Sequence, residues 1–337
     1  SSPSSATSTG TPAQSTRALF GGGNFTTNEL GGSFDRGNFV QFIEITTDGN
    51  TSDFGDLTEG KNEIAASIAS STRGIFHGGA TASDISNIIE YFTVASTGNG
   101  TDFGDFIHSS NGRAQKTAGA SNSTRGIIAG GKLYDSSTNL THGSFGNVMQ
   151  YVTIANTGNA TDFGDLSSGR TDMGGNICNG TRAVFHGGQF NGTTTEEEMA
   201  YITVASTGNT TDFGDAYRSR GRGGCSNSTR GIMFGGTTAV NTSGGVNTIE
   251  YITIASTGNS TDFGDLSDTN NDLSTYIYCG GVSSPTKAVL ASSQRGGDGL
   301  EKVTIASTGN ATGFGDFSVE TNSSAGFGSL SVSHGGL

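Results

Sequence analysis

Short runs of β-branched and aromatic residues alternate along the chain with stretches rich in Gly, Ser, Thr and Asn. Within residues 89–95, side-chain alternation puts Phe92 and Val94 on one face of a strand. Tyr91 and Thr93 point to the other face. Both faces are substantially apolar, which predicts a strand that is buried on both sides. No segment keeps a 3.6-residue apolar period beyond about two turns, so no long helix is expected.

Two phrases recur along the chain and divide it into similar units. The first, Tyr-Phe-Thr-Val-Ala-Ser-Thr-Gly-Asn-Gly-Thr-Asp-Phe-Gly-Asp, covers residues 91–105 and recurs with changes at 42–56, 151–165, 201–215, 251–265 and 302–316. The second, Thr-Arg-Gly-Ile-Phe-His-Gly-Gly, covers residues 72–79, with relatives at 16–22, 124–131, 181–188, 229–236 and 286–293. A repeat period of about 50 residues indicates stacked units that share one architecture.

Each unit is predicted to hold four short strands joined by Gly-rich turns. This favours an all-β, six-bladed β-propeller with four-stranded blades over a solenoid, whose repeats are normally shorter. Residues 1–14 are expected to form a flexible N-terminal arm, and residues 15–317 the six repeats. Residues 318–337 are expected to complete the first blade, so that the ring closes between the N- and C-terminal segments. A seven-bladed ring is the alternative, although its last blade would be half built.

The order of these motifs resembles known repeat proteins. A diglycine after a short apolar strand, followed by a Glu-Tyr strand and a turn, resembles the kelch repeat, although kelch units carry a Trp that this chain lacks. Phe103 and its equivalents are expected to fill that role between blades. Across residues 15–317, the two phrases together resemble repeat proteins of marine bacteriophages, especially those of cyanobacteria. That resemblance implies a virion structural or tail-fibre-type component. Unit six departs most, with Ser292 and Ser293 replacing the diglycine.

Composition narrows the classes of function. Gly makes up 56 of the 337 residues without a Gly-X-Y period, which excludes collagen. A net charge of −13 without any basic run argues against nucleic-acid binding. No apolar stretch approaches the roughly 20 residues of a membrane span. The odd set Cys178, Cys225 and Cys279 lacks metal-type spacing, so these residues are expected to be small and buried in strands. The start at Ser1 indicates a removed leader or a longer chain.

The recurring polar and aromatic residues are predicted to be scaffold elements, because a catalytic site would be a single asymmetric constellation. We expect the aspartates to cap turn amides or to pair with the arginine of the repeat. The scaffold residues are Arg73, Asp102, Phe103, Asp105, Arg125, Asp162, Phe163, Asp165, Arg182, Asp212, Phe213, Asp215, Arg230, Asp262, Phe263 and Asp265.

A calcium site is the alternative role for the same aspartates. Asp102 and Asp105, together with Asn99 and Thr101, form an oxygen-rich loop of the kind that binds Ca²⁺. No other cofactor is expected, and the scattered histidines form no visible metal triad.

The segments that follow the diglycines vary in length and carry most of the variation between units. Loops on a rigid scaffold are where recognition usually takes place. Their aromatic residues could stack on sugars or pack on a partner subunit, or could pin the loops to their own blade. These candidate binding residues are Phe25, Phe34, Tyr134, Phe145 and Phe190.

Three functions from different classes follow. The first is a non-enzymatic virion structural or fibre-type protein, whose loops contact a host surface glycan or a neighbouring virion protein. The second is an extracellular adhesin or filament subunit of a cell surface. The third is a polysaccharide-cleaving propeller enzyme. The expected partners are therefore other virion or filament subunits, the chain itself or a surface glycan, and the expected location is the virion or the extracellular space.

Overall fold

A computed structural model describes residues 16–26, 34–64, 66–106, 113–134, 144–190, 194–217, 220–238, 245–267, 278–291, 299–318 and 326–337. The expected N-terminal arm lies outside this part of the chain. The described residues form strands and turns without any helix, in agreement with the all-β prediction. It follows that none of them belongs to a helix long and apolar enough to cross a membrane.

The strands are short, as the sequence pattern predicts. In chain order they are β1 (Arg17–Gly21), β2 (Asn24–Thr26), β3 (Phe34–Arg36), β4 (Phe39–Glu44), β5 (Ser52–Asp56), β6 (Ala66–Ala69), β7 (Arg73–His77), β8 (Ile88–Thr93), β9 (Thr101–Asp105), β10 (Arg113–Gln115), β11 (Ala118–Ser121), β12 (Arg125–Ala129), β13 (Lys132–Tyr134), β14 (Ser144–Phe145), β15 (Val148–Thr153), β16 (Thr161–Asp165), β17 (Arg170–Thr171), β18 (Gly174–Cys178), β19 (Arg182–His186), β20 (Gln189–Phe190), β21 (Thr194–Thr195), β22 (Glu198–Thr203), β23 (Thr211–Asp215), β24 (Gly223–Ser226), β25 (Arg230–Phe234), β26 (Thr248–Thr253), β27 (Thr261–Asp265), β28 (Gly280–Ser283), β29 (Lys287–Ala291), β30 (Gly299–Thr304), β31 (Thr312–Asp316) and β32 (Gly328–Ser331).

Six antiparallel sheets of four strands account for most of the fold. Their strand orders are β32-β1-β4-β5 (sheet 1), β6-β7-β8-β9 (sheet 2), β11-β12-β15-β16 (sheet 3), β18-β19-β22-β23 (sheet 4), β24-β25-β26-β27 (sheet 5) and β28-β29-β30-β31 (sheet 6). Sheet 1 combines strands from opposite ends of the chain, with Ala18 opposite Ser331 and Gly21 opposite Gly328. The C-terminal segment therefore supplies the first strand of this sheet.

The sheets contact one another in a fixed succession through their first strands. These contacts join β32 to β6, β6 to β11, β11 to β18, β18 to β24, β24 to β28, and β28 back to β32. Each pair of neighbouring sheets encloses its own apolar cluster. Between sheets 2 and 3, for example, Ile75 and Phe103 pack with Ile128 and Val152. The core is thus divided among the interfaces between sheets.

A β-bulge explains why the Asp-Phe-Gly-Asp phrase recurs. Ile89 pairs with Gly104 and Glu90 with Asp102, which leaves Phe103 as an extra residue on the outer strand β9. Such a bulge re-aims a side chain, and Phe103 is buried in the cluster between sheets 2 and 3. The same register shift occurs in the other five sheets.

The third strand of sheet 2 differs from the prediction in one respect. We expected both faces to be apolar and buried, and Phe92 is buried. Tyr91, however, is only half-buried and Thr93 is exposed, while the carboxylate-bearing Glu90 is completely buried. The strand therefore buries a charged side chain, which requires a compensating partner.

Candidate functional site

The motifs of the repeat meet at the interfaces between sheets, where they form an inter-sheet clasp. Between sheets 2 and 3, the amide of Gly158 donates to the carbonyl of Phe103 at 2.7 Å. The amide of Asp105 donates to Asn159 Oδ1 at 3.0 Å, and the amide of Ala160 donates to the Asp105 carbonyl at 2.9 Å. The same three bonds occur at the other five interfaces, where the accepting asparagines are Asn50, Asn99, Asn209, Asn259 and Asn310.

The arginines of the repeat bridge neighbouring sheets, but their partners are not aspartates. The Arg73 guanidinium lies 4.2 Å from the ring centre of Tyr91 and donates from Nη1 to the Ile154 carbonyl at 2.7 Å. Arg125, Arg182 and Arg230 repeat both contacts. The expected pairing of repeat Arg with repeat Asp is therefore wrong for these four residues. A planar guanidinium stacks on a ring and still donates in its own plane.

The aspartates contribute mainly through their backbone. Asp102, Asp162, Asp212 and Asp262 are exposed, and in one unit Asp212 Oδ1 accepts the Gly214 amide at 3.2 Å. Asp105, Asp165, Asp215 and Asp265 hold the clasp with their amides and carbonyls. Phe163, Phe213 and Phe263 are buried like Phe103.

The oxygen atoms of the candidate calcium loop serve two different interfaces. Asn99 Oδ1 accepts the Asp56 amide from sheet 1, whereas the Asp105 amide donates to Asn159 of sheet 3. Across the described ranges, no three His, Cys, Asp or Glu side chains come together in a way that could hold a metal ion. Calcium at this loop stays a prediction without support from the geometry.

The five aromatic loop candidates lie in short strands next to the main sheets. Phe25 and Phe34 belong to the paired strands β2 and β3. Tyr134 belongs to β13, which pairs with β10 and with β14, the strand that holds Phe145. Phe190 belongs to β20, which pairs with β17 and β21. The side chains of Phe145 and Phe190 are half-buried; those of the other three lie outside the described residues. The described parts of the segments after the diglycines thus form short strands at one end of the sheets, called here the loop end.

A pocket of about 60 Å³ opens at the loop end, between the first strands of the sheets. It is lined by four residues that each lie two or three positions before a first strand: Glu63, Lys116, Asp172 and Tyr278. Backbone hydrogen bonds link these positions from sheet to sheet, from the Lys116 amide to the Glu63 carbonyl and from the Asp172 amide to the Lys116 carbonyl, both 3.1 Å long. Side chains from separate parts of the chain therefore converge on one small space.

These pocket residues share an unusual backbone conformation. The φ angles are 55° at Glu63, 58° at Lys116, 55° at Asp172 and 60° at Tyr278. The corresponding residue of sheet 5 is Gly221, with a φ of 66°. Residues other than Gly adopt this left-handed region at a cost of about 1–2 kcal/mol. Strained residues of this kind cluster at functional sites.

An ion-pair network connects the pocket side chains. Lys116 Nζ lies 3.3 Å from Glu63 Oε1 and 3.5 Å from Asp172 Oδ1, and 3.4 Å from the Tyr278 hydroxyl. Asp172 Oδ2 also pairs with Arg220 at 3.2 Å. Burial disfavours the charged form of Lys116, but the carboxylates of Asp172 and Glu63 outweigh it and raise the pKa of the lysine. Burial, followed by the negative charge of Asp172, raises the pKa of Tyr278. Lys116 thus stays protonated and Tyr278 stays neutral.

Asn176 forms part of the inner wall of the pocket. A register irregularity in β18 places this residue, with a φ of 62°, between Gly174 and Ile177. Its Nδ2 donates to the Ser329 carbonyl at 3.1 Å and to the Gly281 carbonyl at 3.4 Å, so it links sheets 4, 1 and 6. Asn176 also lines a smaller cavity of about 10 Å³.

The segment 332–337 lies at that smaller cavity, on the side away from the loop end. His334 Nε2 is 3.3 Å from Ser121 Oγ of sheet 3, and the Gly335 amide donates to the Ser226 carbonyl of sheet 5 at 2.8 Å. Ser333 Oγ donates to the Ser283 carbonyl of sheet 6 at 3.1 Å. Burial lowers the pKa of His334 to about 4, so this side chain is neutral at pH 7.

Two of the three cysteines lie where the sequence predicts them. Cys178 and Cys225 are buried in β18 and β24, whereas Cys279 precedes β28, is only half-buried and lines the pocket. All three are free thiols. Burial raises the pKa of Cys178 and of Cys279 to about 12, so neither is a reactive thiolate at pH 7.

Sequence reasoning missed the buried carboxylates of the third strands and the whole pocket. Glu90 pairs with the buried Lys61 at 2.5 Å, and Glu250 pairs with Arg222 at 2.6 Å. A signal exists for the glutamates, because Glu precedes Tyr in an otherwise apolar run. The pocket residues share a position before the first strand, but their side chains differ from unit to unit and so give no recurring phrase.

Comparison with known proteins adds no relative. No protein-family model matches the chain, and a search of curated proteins finds no significant match.

Proposed function

We propose that the six sheets are the blades of a closed, kelch-like six-bladed propeller that serves as a rigid, non-enzymatic recognition scaffold. Two observations support closure. The succession of contacts between first strands returns to its start, and the clasp between sheets 6 and 1, with Asp316 and Asn50, is the same as the other five. Radial closure leaves only short, protected strand edges.

The division between constant and variable residues carries the functional proposal. The clasps and the arginine contacts recur at the interfaces with little change, whereas the loop end differs from unit to unit in sequence and in the length of its hairpins. A constant frame with one variable end suits recognition of a partner. Together with the resemblance described above, this favours a virion structural or fibre-type protein that contacts a surface glycan or a neighbouring virion protein through its loop end.

The first test is an electron-microscopy map of the material from which this chain comes. We expect six-bladed discs on a phage particle. Discs in a cell-attached filament would contradict the virion assignment and favour the extracellular adhesin or filament subunit instead. Hydrolysis of a polysaccharide by the purified chain would favour the third candidate, an enzyme.

A second test asks which end makes the contact. Tyr217, which is 48% exposed, lies in the connection at the loop end, and Thr97 is exposed in the turn between β8 and β9 at the opposite end. A bulky maleimide attached to a Tyr217→Cys variant should block assembly or surface binding, whereas the same label on Thr97→Cys should not. The opposite result would move the contact to the other end.

A further inference from the structure

We infer that the pocket at the loop end binds one small, neutral, hydroxyl-rich molecule, the chemistry of a single uncharged sugar unit. This inference rests on the proposed recognition function and assigns its ligand class to a definite place. The left-handed backbone at Glu63, Lys116, Asp172 and Tyr278 is the first observation. Gly would avoid backbone strain at these four positions, as Gly221 does at the corresponding position of sheet 5. Charged and phenolic side chains occupy them instead, although the chain is rich in Gly, which is typical of a functional site.

Buried polar atoms without a hydrogen bond are the second observation. Asp172 has a side chain that is 2% exposed, and its Oδ1 takes no hydrogen bond, although it lies 3.5 Å from Lys116 Nζ. Arg222, at 1% exposure, uses Nη1 for Glu250 but leaves Nη2 without a partner. Both residues line the pocket. Buried polar atoms in folded proteins are normally satisfied, and a ligand hydroxyl can donate to a carboxylate and accept from a guanidinium at the same time.

The charges of the wall select a neutral ligand. Lys116 is compensated by Glu63 and Asp172, and Arg222 by Glu250. An ionic ligand would have to break one of these pairs and leave a buried charge uncompensated, which is costly. A hydroxyl group needs no such exchange, because a salt-bridged pair offers it an acceptor and a donor side by side.

The size and the apolar part of the wall fit a sugar ring. A cavity of about 60 Å³ holds roughly four to six waters, which limits the occupant to one ring or to the end of a longer chain. The aromatic rings of Tyr278 and Phe327 line the same pocket. They offer apolar contact to the C–H face of a ring, while the charged side chains face its hydroxyls.

Ligand-observed saturation-transfer NMR on the full chain tests this inference. The probes are D-glucose, D-galactose and D-mannose, with N-acetylneuraminic acid as the anionic probe and glycine as the zwitterionic one. We expect transfer to at least one neutral sugar, and at least tenfold weaker binding of both charged probes. No saturation transfer to any of the three neutral sugars at about 20 mM, a concentration well above a weak dissociation constant of about 1 mM, would overturn the inference. So would preferential binding of a charged probe.

Two variants locate the binding. Glu63→Gln keeps the size of the side chain and removes its charge, and Tyr278→Phe removes only the hydroxyl; each should weaken sugar binding at least fivefold. The matched control is Asp102→Asn on the exposed face of β9, which should bind like the unchanged chain. Thermal unfolding confirms that each variant is folded. Sugar binding that is equal in all three variants would place the ligand elsewhere.

Failure of the sugar-binding inference can be distinguished from failure of the proposed virion function. A chain found on virions that binds no neutral sugar would refute the ligand class alone. A chain that binds sugar in the pocket but occurs only in cellular filaments would refute the virion assignment alone.

Discussion

His186 and Phe234 occupy the same place in sheets 4 and 5, at the end of the second strand and opposite a glycine of the first strand. A Cβ atom on Gly174 would meet the His186 ring, and one on Gly223 would meet the Phe234 ring. Each glycine therefore makes room for a ring, and the two sites differ mainly in polarity. Neither ring nitrogen of His186 has a hydrogen-bond partner.

This comparison predicts the effect of His186→Phe. Removal of two unpartnered buried nitrogens should stabilise the chain by about 1–3 kcal/mol at pH 7.5. Burial, assisted by the positive charge of Arg222, lowers the pKa of His186 well below its usual value of 6.5. The unfolded chain therefore binds a proton below pH 6.5 that the folded chain does not, and stability falls with acidification. Urea unfolding at pH 7.5, 6 and 5 should show a larger advantage for the variant as the pH falls.

The reciprocal variant, Phe234→His, is the control. It should lower stability at pH 7.5 and add a second loss between pH 6.5 and 5 to the one that His186 already causes in the unchanged chain. If His186→Phe leaves the pH dependence unaltered, the histidine is not buried as a neutral group.

At the scale of the strand, the clasp depends on how closely two backbones approach. A Cβ atom on Gly104 in β9 would lie 2.5 Å from the carbonyl carbon and oxygen of Gly158 in the next sheet. Gly104 also has a φ of 148°, a conformation that other residues rarely adopt. By contrast, a Cβ atom on Gly98, in the turn of the same unit, would meet no atom within 4 Å.

We therefore expect opposite outcomes for two alanine substitutions in one unit. Gly104→Ala should cost at least about 2 kcal/mol, because it combines overpacking with backbone strain. Gly98→Ala should change the unfolding free energy by less than about 0.5 kcal/mol, as for a surface position. Chemical denaturation of both variants measures the difference. Equal stability of the two would mean that the sheets are not held as closely at β9 as the clasp requires.

The repeat phrases predicted the four strands of each main sheet, because the bulge, the turn and the apolar alternation each leave a local sequence pattern at residues such as Phe103 and Gly158. The partners of these residues were less predictable. The positions of Asp102 and Arg73 carry Asp and Arg in five of the six units, and the two residues have opposite charges. The Arg73 guanidinium nevertheless stacks on Tyr91, and an asparagine, Asn159, completes the clasp. The repeat shows which residues recur in each unit, but it does not show which of them contact each other across an interface.

The pocket was hidden from the sequence for a different reason. Glu63, Lys116, Asp172 and Tyr278 come from four separate units, and only the relative placement of the sheets brings them together. They share a left-handed backbone conformation but are four different residue types, so the sequence shows no pattern at these positions. The segments after the diglycines were correctly recognised as variable, but their short strands were not predicted.

At the scale of the whole molecule, sheet 1 depends on strand β32. This strand pairs with β1, and Leu330 packs between sheets 1 and 2. Removal of residues 326–337 would expose the edge of β1 and the apolar residues beneath it. We expect the truncated chain to unfold at a much lower temperature and with less cooperativity, or to aggregate. Calorimetry and light scattering would show this.

Two further samples make the truncation informative. Removal of residues 334–337 alone leaves β32 in place and loses only contacts such as that of Gly335 with Ser226, so the cost should be about 1–2 kcal/mol. A synthetic peptide of residues 326–337 added to the longer truncation should restore part of the stability. A chain that is equally stable without residues 326–337 would contradict the role of β32 in completing sheet 1.

The pairing of β1 with β32 also sets an order of events during protein synthesis. When the ribosome has made β1, β4 and β5, strand β32 has not yet been synthesised, because it begins only at Gly328. At a synthesis rate of roughly 5–20 residues per second, the edge of β1 and the apolar surface beside it stay uncovered for tens of seconds before β32 is made. A nascent chain released early, by a premature stop codon or a broken message, would keep that surface exposed. Chaperones or proteases that recognise exposed apolar edges would therefore act on chains that lack β32 and spare those in which β32 has paired with β1.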